Sequence, residues 1–231
     1  MKVEKIFEDE SILVVNKPSG MVVNRAETTR HMVTLEDWLE DEKYGINIDR
    51  HGVVHRLDKE TSGALVIAKS QRTMNGLQSQ FKDRLVSKTY LALVHGKLSP
   101  SEGVIKAPIS RNPFNRKRFG VFVGGRESES RYEVKEKLER QNDQFSLVEV
   151  KPKTGRTHQI RVHMKHLNHA VVGDTLYAGR KTARNDRQWC PRLFLHAYKL
   201  KLNHPVSGLK IEFKAKLPKD LETVLKNLRK D

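Results

Sequence analysis

A carboxylate in a polar turn between two apolar runs is the strongest chemical signal in the sequence. Residues 51–68 read His-Gly-Val-Val-His-Arg-Leu-Asp-Lys-Glu-Thr-Ser-Gly-Ala-Leu-Val-Ile-Ala, with Asp58 inside the turn, close to Arg56 and Lys59. Loops carried by a rigid scaffold are where catalytic groups concentrate. Neighbouring positive charge favours the ionised carboxylate, so the pattern indicates a base or a nucleophile. The structural alternative is an Asx turn or a helix cap.

A second group of polar side chains follows a glycine turn in residues 153–169. Four donors surround the predicted start of a helix: Arg156, Thr157, His158 and Arg161. A helix N-terminus with such donors suits a phosphate or a carboxylate, and a basic helix facing solvent is the alternative. Three histidines follow at intervals of three residues, at positions 163, 166 and 169. This spacing spreads them around a helix with no acid or cysteine nearby, so we expect no metal site.

Three shorter segments add candidates. Lys17 lies in Asn-Lys-Pro-Ser-Gly after the first apolar run, Tyr90 begins an apolar run, and residues 173–177 read Gly-Asp-Thr-Leu-Tyr. Each segment is weak alone. A tyrosine at the head of a strand is by default a half-buried packing residue, although beside a basic site its ring can stack on a nucleobase.

The charge distribution predicts a polyanionic partner. The chain has 44 Lys and Arg against 28 Asp and Glu, a net charge of +16; residues 1–50 carry 7 basic and 11 acidic side chains, which leaves +20 for residues 51–231. Residues 103–126 and 150–173 contain six and five Lys or Arg, respectively, and no acid. Nucleic acid is therefore the leading candidate, and a solvated basic surface is the alternative. The predicted RNA-facing arm contains Arg116, Lys117 and Arg118.

Length and composition exclude several classes of protein. A chain of 231 residues with 37% hydrophobic residues can bury a proper core. No run approaches the roughly 18 apolar residues of a membrane helix, and the first ten residues are charged, unlike a signal peptide. The single cysteine, Cys190, fits a reducing cytoplasm. Because no repeat or long linker divides the chain, we predict one domain over residues 1–231.

Hydrophobic periodicity predicts more strands than helices. Short runs rich in Val, Ile and Tyr predict strands at residues 12–15, 64–68, 90–94, 119–123, 132–134, 145–150, 193–202 and 209–213. Helices are predicted after Ser70, after Thr34 through about residue 44, from Thr157 through residue 167, and over residues 221–228. The last two strands flank a turn and should form an antiparallel hairpin. The total predicts the α+β class, with a mixed, mainly antiparallel sheet flanked by helices.

Taken together in their order along the chain, the motifs around Lys17, Asp58, Tyr90 and Arg161 resemble the RluA family of RNA pseudouridine synthases. The resemblance extends over about residues 6–213. The most specific motif is His-Arg-Leu-Asp-x-x-Thr-Ser-Gly at 55–63, and the segments at 16–20, 88–96 and 155–163 are similar to the family too. The resemblance implies a pseudouridine-synthase-like catalytic domain in which Asp58 is the catalytic aspartate. It further implies that Tyr90 packs against the target base, that Arg161 pairs with the aspartate, and that Arg56 helps to push the uridine out of the RNA helix and fills its place.

This resemblance implies an isomerase of specific uridines in structured RNA. Ribosomal RNA is preferred over transfer RNA on family habit alone, and the chain resembles the catalytic domain without the separate N-terminal RNA-binding domain of many relatives. The expected enzyme is a cytoplasmic monomer without cofactor or metal. Further RNA contacts are predicted at Lys17, His55, Arg156, Thr157 and His158.

Two questions stay open from the sequence. The carboxylate can attack the anomeric carbon of the sugar or remove the neighbouring 2′ proton to form a glycal, and the residues do not choose between these routes. The alternative functions are a non-catalytic RNA-binding or ribosome-assembly protein on the same scaffold, against which the three candidate catalytic residues argue, and a glycosidase that releases uracil.

Overall fold

The structure is a computed structural model that describes residues 2–45 and 47–229. The strands are β1 (Glu4–Glu8), β2 (Ile12–Lys17), β3 (Ser62–Ala68), β4 (Ser87–His95), β5 (Glu102–Lys106), β6 (Ile109–Arg111), β7 (Phe119–Val121), β8 (Glu129–Arg140), β9 (Asp143–Pro152), β10 (Leu195–Asn203) and β11 (Lys210–Lys214). The α-helices are α1 (Leu35–Asp41), α2 (Gln71–Lys82), α3 (Gln159–His166), α4 (Arg180–Asp186) and α5 (Lys219–Leu228). This content confirms the predicted α+β class.

The chain divides into two compact units. The first unit contains Met1–Lys88 and Ala197–Lys216, and the second contains Thr89–His196 and Leu217–Asp231. That residues 1–231 form one domain stays a prediction. No helix in the described part of the chain has the length and apolar character needed to cross a membrane.

The first unit is built on antiparallel strands around two that carry buried apolar runs, β2 and β3. β2 pairs with β1 on one side and β3 on the other, and β10 pairs with β11, which confirms the predicted C-terminal hairpin. The apolar runs of β2 and β3 are buried almost throughout, as expected for strands covered on both faces. Helix α2 adds Met74 and Leu77 to this core. It begins where predicted, because the Ser70 hydroxyl accepts the N–H of Thr73 at 3.2 Å.

The second unit contains an antiparallel sheet and a separate hairpin. The strand order of the sheet is β4-β9-β8-β5, and β6 pairs with β7 as a two-stranded sheet of its own. Helix α5 packs Leu221 and Leu225 into a cluster that contains Phe145 and Phe194. The apolar spacing of this helix, predicted from the sequence, is thereby confirmed.

Several predicted boundaries were wrong for physical reasons. The helix expected from Thr157 begins at Gln159, because His158 has a left-handed backbone with φ 57°. The strand expected through Val123 ends at Val121, and Val123 is fully exposed. β1 and β5 were not predicted, because charged residues at both ends of these short strands hide the apolar alternation.

Candidate active site

The turn that carries Asp58 is anchored by an apolar residue between two charged ones. Leu57 is buried, whereas Arg56 is exposed and Asp58 is half-buried. The carbonyl of Asp58 accepts the N–H of Thr61 at 3.1 Å, which closes the turn immediately before β3. Anchoring through Leu57 holds the backbone of the turn while its charged neighbours stay near the surface, as a catalytic loop requires.

Lys17 lies beneath this turn and is completely buried, with 0% of its surface exposed. Its ammonium donates to the carbonyls of Pro18 and Met21, both at 2.8 Å, and to the carbonyl of Lys59 at 3.4 Å. A buried charge requires such hydrogen bonds. The predicted RNA contact is therefore not supported for Lys17, whose charge is used inside the first unit to join the 17–21 loop to the turn.

Two further hydrogen bonds join the same loops. The Ser19 hydroxyl donates to the carbonyl of Glu60 at 2.7 Å, and the N–H of Gly20 donates to the carbonyl of Lys59 at 2.8 Å. The Asn-Lys-Pro-Ser-Gly segment thus contacts the two residues that follow Asp58. Its function in the first unit is to hold the turn in place.

His55 is a packed, neutral ring at the start of the turn. Its Nε2 accepts the N–H of Val66 at 3.1 Å, and its ring stacks on Phe81 with centroids 4.6 Å apart. Burial, assisted by the nearby positive charge of Lys88, lowers the pKa of His55 to about 3. A neutral ring that accepts a backbone hydrogen bond supports the turn, so the predicted RNA contact of His55 finds no support here.

The glycine of the Thr-Ser-Gly motif is required by a close approach of two strands. Gly63 has φ 125°, and a Cβ added there would lie 2.3 Å from the carbonyl oxygen of Ala197 in β10. Any side chain would force the strands apart. The motif therefore combines a functional turn with the tight packing of β3 that supports it.

In the second unit, Arg161 forms a bidentate ion pair with Asp174. Nε and Nη2 of the guanidinium donate to the two carboxylate oxygens at 2.7 and 2.8 Å, and the side chains are almost completely buried. Asp174 also accepts the N–H groups of Leu176 and Tyr177 at 2.9 and 3.1 Å. Such pairs are strong and geometrically specific. The pairing of Arg161 with Asp58, implied by the family resemblance, stays a prediction.

Tyr177 connects Arg161 with two other elements of the second unit. Its ring centroid lies 5.1 Å from the guanidinium carbon of Arg161. Its hydroxyl accepts the N–H of Phe119 in β7 at 2.9 Å and lies 2.8 Å from Nδ1 of His158. Which of the two groups donates in the contact with His158 depends on the tautomer of the histidine. The structure thus brings His158 and Arg161 around one ring. The anion site predicted from residues 156–161 stays a prediction.

The other predicted residues of the second unit lie on three elements. Arg156 is half-buried and donates from Nε to the carbonyl of Glu127 at 3.1 Å, while Thr157 is exposed. Tyr90 is half-buried in β4 and packs against a hydrophobic cluster, which agrees with the packing role considered for it. The three basic residues of the predicted arm lie in the turn between β6 and β7: Arg116 and Lys117 are exposed, and Arg118 is half-buried.

Asp174 and Tyr177 were not predicted as site residues. Both lie in the Gly-Asp-Thr-Leu-Tyr segment, whose only sequence signal was its glycine. Gly173 has φ 75°, and a Cβ there would lie 2.3 Å from the carbonyl oxygen of Arg192. Gly173 was the signal available in the sequence, but the burial of Asp174 depends on tertiary packing.

Comparison with known proteins agrees with these observations. The sequence model of a family described as RNA pseudouridylate synthase matches residues 11–166. An uncharacterised RNA pseudouridine synthase of Bacillus subtilis is 41% identical, over 100% of this chain and 74% of that protein. Ribosomal large subunit pseudouridine synthase D of Pseudomonas aeruginosa is 38% identical, over 100% of this chain and 73% of that protein.

Solved structures include a similar fold. Human RNA pseudouridylate synthase domain containing 1 superposes with a TM-score of 0.74 at 27% identity, covering 99% of this chain and 95% of that one. The chain therefore belongs to the RNA pseudouridylate synthase family and is an isomerase that converts uridine in RNA to pseudouridine.

Proposed function

We propose that this enzyme modifies uridines of ribosomal RNA and that Asp58 is its catalytic carboxylate. The observation that carries the proposal is the turn itself: Asp58 is half-buried within a turn whose following backbone is held by the buried ammonium of Lys17. A fixed backbone beneath an accessible carboxylate suits a group that must approach one atom of a sugar closely. The ribosomal target is supported by the similarity to the Pseudomonas relative, which is named as a ribosomal large subunit pseudouridine synthase.

The chemistry requires one carboxylate and no redox change. The bond from N1 of uracil to the ribose breaks, the detached base turns, and a new bond forms from C5 to the same ribose carbon. C5 loses its proton and N1 gains one, so the product is an isomer of the substrate. Asp58 begins this sequence by attacking the anomeric carbon or by removing the 2′ proton. On either route the carboxylate is regenerated at the end, so no group donor is consumed.

The target uridine must leave the RNA helix before Asp58 reaches its sugar. Flipping a nucleotide out of a stack costs a few kcal/mol, which protein contacts have to offset. Arg56 is exposed and lies two residues before Asp58 in the same turn. We assign to its side chain the role of filling the space that the flipped-out base leaves in the RNA helix. Tyr90 is assigned to packing against the base, and Arg161 to pairing with Asp58.

The remaining contacts position the RNA. Exposed Arg116, Lys117 and Thr157 are assigned to the RNA backbone, with half-buried Arg118, Arg156 and His158 beside them. Backbone contacts of this kind give affinity and register and carry little sequence information. That the enzyme is a monomer and cytoplasmic stays a prediction.

Asp58→Asn tests the proposal, because it keeps the shape of the side chain and removes the charge. Isomerisation should be abolished while RNA binding persists, measured as tritium released from C5 of labelled uridine in RNA and as binding by filter retention. Asp49→Asn, in an exposed acid of the same unit, is the control and should remain active. Substantial turnover by Asp58→Asn would refute the assignment. Pseudouridine maps of ribosomal RNA from cells with and without the gene test the substrate.

A further inference from the structure

An aromatic ring stands almost entirely in solvent at the tip of the β6–β7 hairpin. Phe114 is 96% exposed. Leaving a phenylalanine ring in water forgoes roughly 1.5–3 kcal/mol of burial. A single exposed apolar residue is not unusual in itself, so the backbone around it must show whether this exposure is built into the fold.

Side chains of the turn hold the backbone of Phe114. The Asn112 carboxamide oxygen accepts the N–H groups of Phe114 and Asn115 at 2.8 and 3.0 Å. The Asn115 carboxamide oxygen accepts the N–H of Lys117 at 3.1 Å. Asn side chains that accept from the residues following them fix a turn. The tip is therefore pre-organised, and the ring of Phe114 does not depend on a chance loop conformation for its exposure.

The strands below the tip are also braced. The N–H of Asn112 donates to the carbonyl of Arg118 at 2.9 Å, and Nη1 of Arg111 donates to the carbonyl of Arg116 at 2.6 Å. The guanidinium of Arg111 lies 4.9 Å from the ring centroid of Phe119. Phe119 in turn donates its N–H to the Tyr177 hydroxyl described above. The hairpin is thus fixed from its base in the second unit to its tip.

The surroundings of Phe114 are cationic. Four basic residues lie within five positions of it in sequence, Arg111, Arg116, Lys117 and Arg118, and residues 103–126 contain no acid. An exposed flat ring among cations is complementary to a strand that offers phosphates and accessible base faces. A protein partner with an apolar surface would bury one ring but would also have to cover four charged side chains. The charge pattern therefore disfavours such a partner.

We propose that Phe114 stacks on an unpaired nucleobase of the substrate RNA while the neighbouring cations contact its phosphates. The inference rests on the proposed function for its RNA substrate. Stacking on a protein ring requires a base with a free face, so the target of Phe114 is a loop, bulge or strand end and not a continuous duplex. Phe114 is then a binding residue that selects RNA shape.

The experiment compares two fluorescein-labelled RNAs, a stem-loop with unpaired loop nucleotides and the fully paired duplex of the same stem. Phe114→Ala should raise the Kd for the stem-loop by about 5- to 150-fold, the range of one stacked base, and leave the Kd for the duplex unchanged. Phe114→Trp should restore affinity, and its fluorescence should be quenched by the stem-loop. Val123→Ala removes another fully exposed apolar residue of the second unit and should have no effect.

Two further readouts separate stacking from charge and from catalysis. The slope of log Kd against log salt should be unchanged in Phe114→Ala, because no phosphate contact is removed, but shallower when Arg116, Lys117 and Arg118 are replaced by alanine together. An unchanged Kd of Phe114→Ala for the stem-loop, or an equal loss on both RNAs, would overturn the inference. If Asp58→Asn stays active, or ribosomal RNA carries the same pseudouridines without the gene, but Phe114→Ala still weakens stem-loop binding, the inference stands and the proposed function fails.

Discussion

The turn around Asp58 and the tip of the β6–β7 hairpin are both fixed loops, but they are fixed in different ways. The turn is held from beneath by a buried ammonium, that of Lys17, which donates to main-chain carbonyls. The hairpin tip is held by its own surface carboxamides, those of Asn112 and Asn115. The turn therefore depends on the core of its unit, whereas the tip is a largely self-contained structure.

This difference matches the functions that we propose for the two regions. A catalytic carboxylate must be positioned relative to the reacting atom with an accuracy of a fraction of an ångström. A buried, hydrogen-bonded charge gives that accuracy but makes the region sensitive to substitution. A surface that binds RNA through stacking and phosphates needs exposure and tolerates small shifts. Changes to buried polar groups should consequently reduce the rate, and changes to the hairpin should reduce affinity.

The ion pair of Arg161 and Asp174 is buried but lies in the same unit as the hairpin. It therefore tests whether burial, or the unit in which a residue lies, determines whether a substitution reduces the rate or the affinity. Arg161→Ala leaves the carboxylate of Asp174 buried without its guanidinium, which should lower the free energy of unfolding by about 3–5 kcal/mol. Activity should be lost as well, although Arg161 lies in the same unit as the hairpin. Urea unfolding and tritium release measure the two effects.

A double-mutant cycle controls for the general cost of altering this site. Replacing Arg161 and Asp174 by alanine together should cost clearly less than the sum of the two single changes, because no charge is left buried and unpaired. Additive losses of stability would mean that the two side chains are not energetically coupled. The expectation that buried polar groups have the largest effects would then be wrong for this almost completely buried ion pair.

Lys17→Met should produce the next largest effect, because it keeps the length of the side chain and removes the ammonium. The carbonyls of Pro18 and Met21 lose their donor, which should lower the free energy of unfolding by about 1–3 kcal/mol. We expect kcat to fall while the Kd for RNA stays unchanged, measured by single-turnover tritium release and filter binding. Lys43→Met, in an exposed lysine of the same unit, is the control. Weaker RNA binding of Lys17→Met with normal kcat would contradict this expectation and would support the RNA contact predicted for Lys17 from the sequence.

The sequence predicted those parts of the fold that local rules determine. The N-caps at Thr34 and Ser70 were confirmed, because a capping side chain and its N–H partner lie three residues apart. Helix α4 was not predicted, since the sequence Arg-Lys-Thr-Ala-Arg-Asn-Asp has no apolar period and only Ala183 and Asp186 are buried. Elements that bury few apolar residues give no periodic signal.

Candidate site residues could be singled out from the sequence where a motif is continuous, but contacts between residues distant in sequence could not. Asp58 and Arg56 were singled out from one turn of charged residues. A lysine in a loop appears from sequence to be a surface cation, and nothing local shows that Lys17 contacts the carbonyl of Lys59, 42 residues later. The partnership of Arg161 with Asp174 likewise depends on tertiary packing. Burial of a charged group was the property that sequence reasoning missed in each case.

His55 makes the support of the turn dependent on pH. Its pKa is about 3 in the folded protein and about 6.5 in an unfolded chain. Between these values the unfolded state binds more protons, so stability is complete above pH 6.5 and falls as the pH drops towards 3. At pH 5.5 the loss from this residue should be about 1.4 kcal/mol.

Urea unfolding at pH 7.5 and 5.5 measures this loss when the wild type is compared with His55→Gln, which cannot be protonated. The difference in stability between the two proteins should shrink at the lower pH by the amount stated above. His31→Gln replaces an exposed histidine of the same unit and serves as the control. An equal pH dependence of the wild type and His55→Gln would mean that folding does not lower the pKa of His55, and the support of the turn by a neutral ring would then be refuted.

Tyr177→Phe should give the smallest effect and separates the hairpin from the ion pair beside it. The change keeps the ring against Arg161 and removes the hydroxyl that accepts the N–H of Phe119. The contact of the hydroxyl with Nδ1 of His158 is lost as well. The bond to Phe119 is the one that reaches the hairpin, and a neutral hydrogen bond is worth about 0.5–1.5 kcal/mol net, so the hairpin should loosen and KM for RNA should rise by about 2- to 10-fold. Because the Arg161–Asp174 bonds remain, kcat should not change. Faster hydrogen exchange at the Phe119 amide would locate the loosening, and Tyr198→Phe in β10 is the matched control. A fall in kcat at constant KM would show that the hydroxyl acts through Arg161 and not through the hairpin. Tyr177 would then belong with the buried groups that affect the rate, and not with the hairpin that affects affinity.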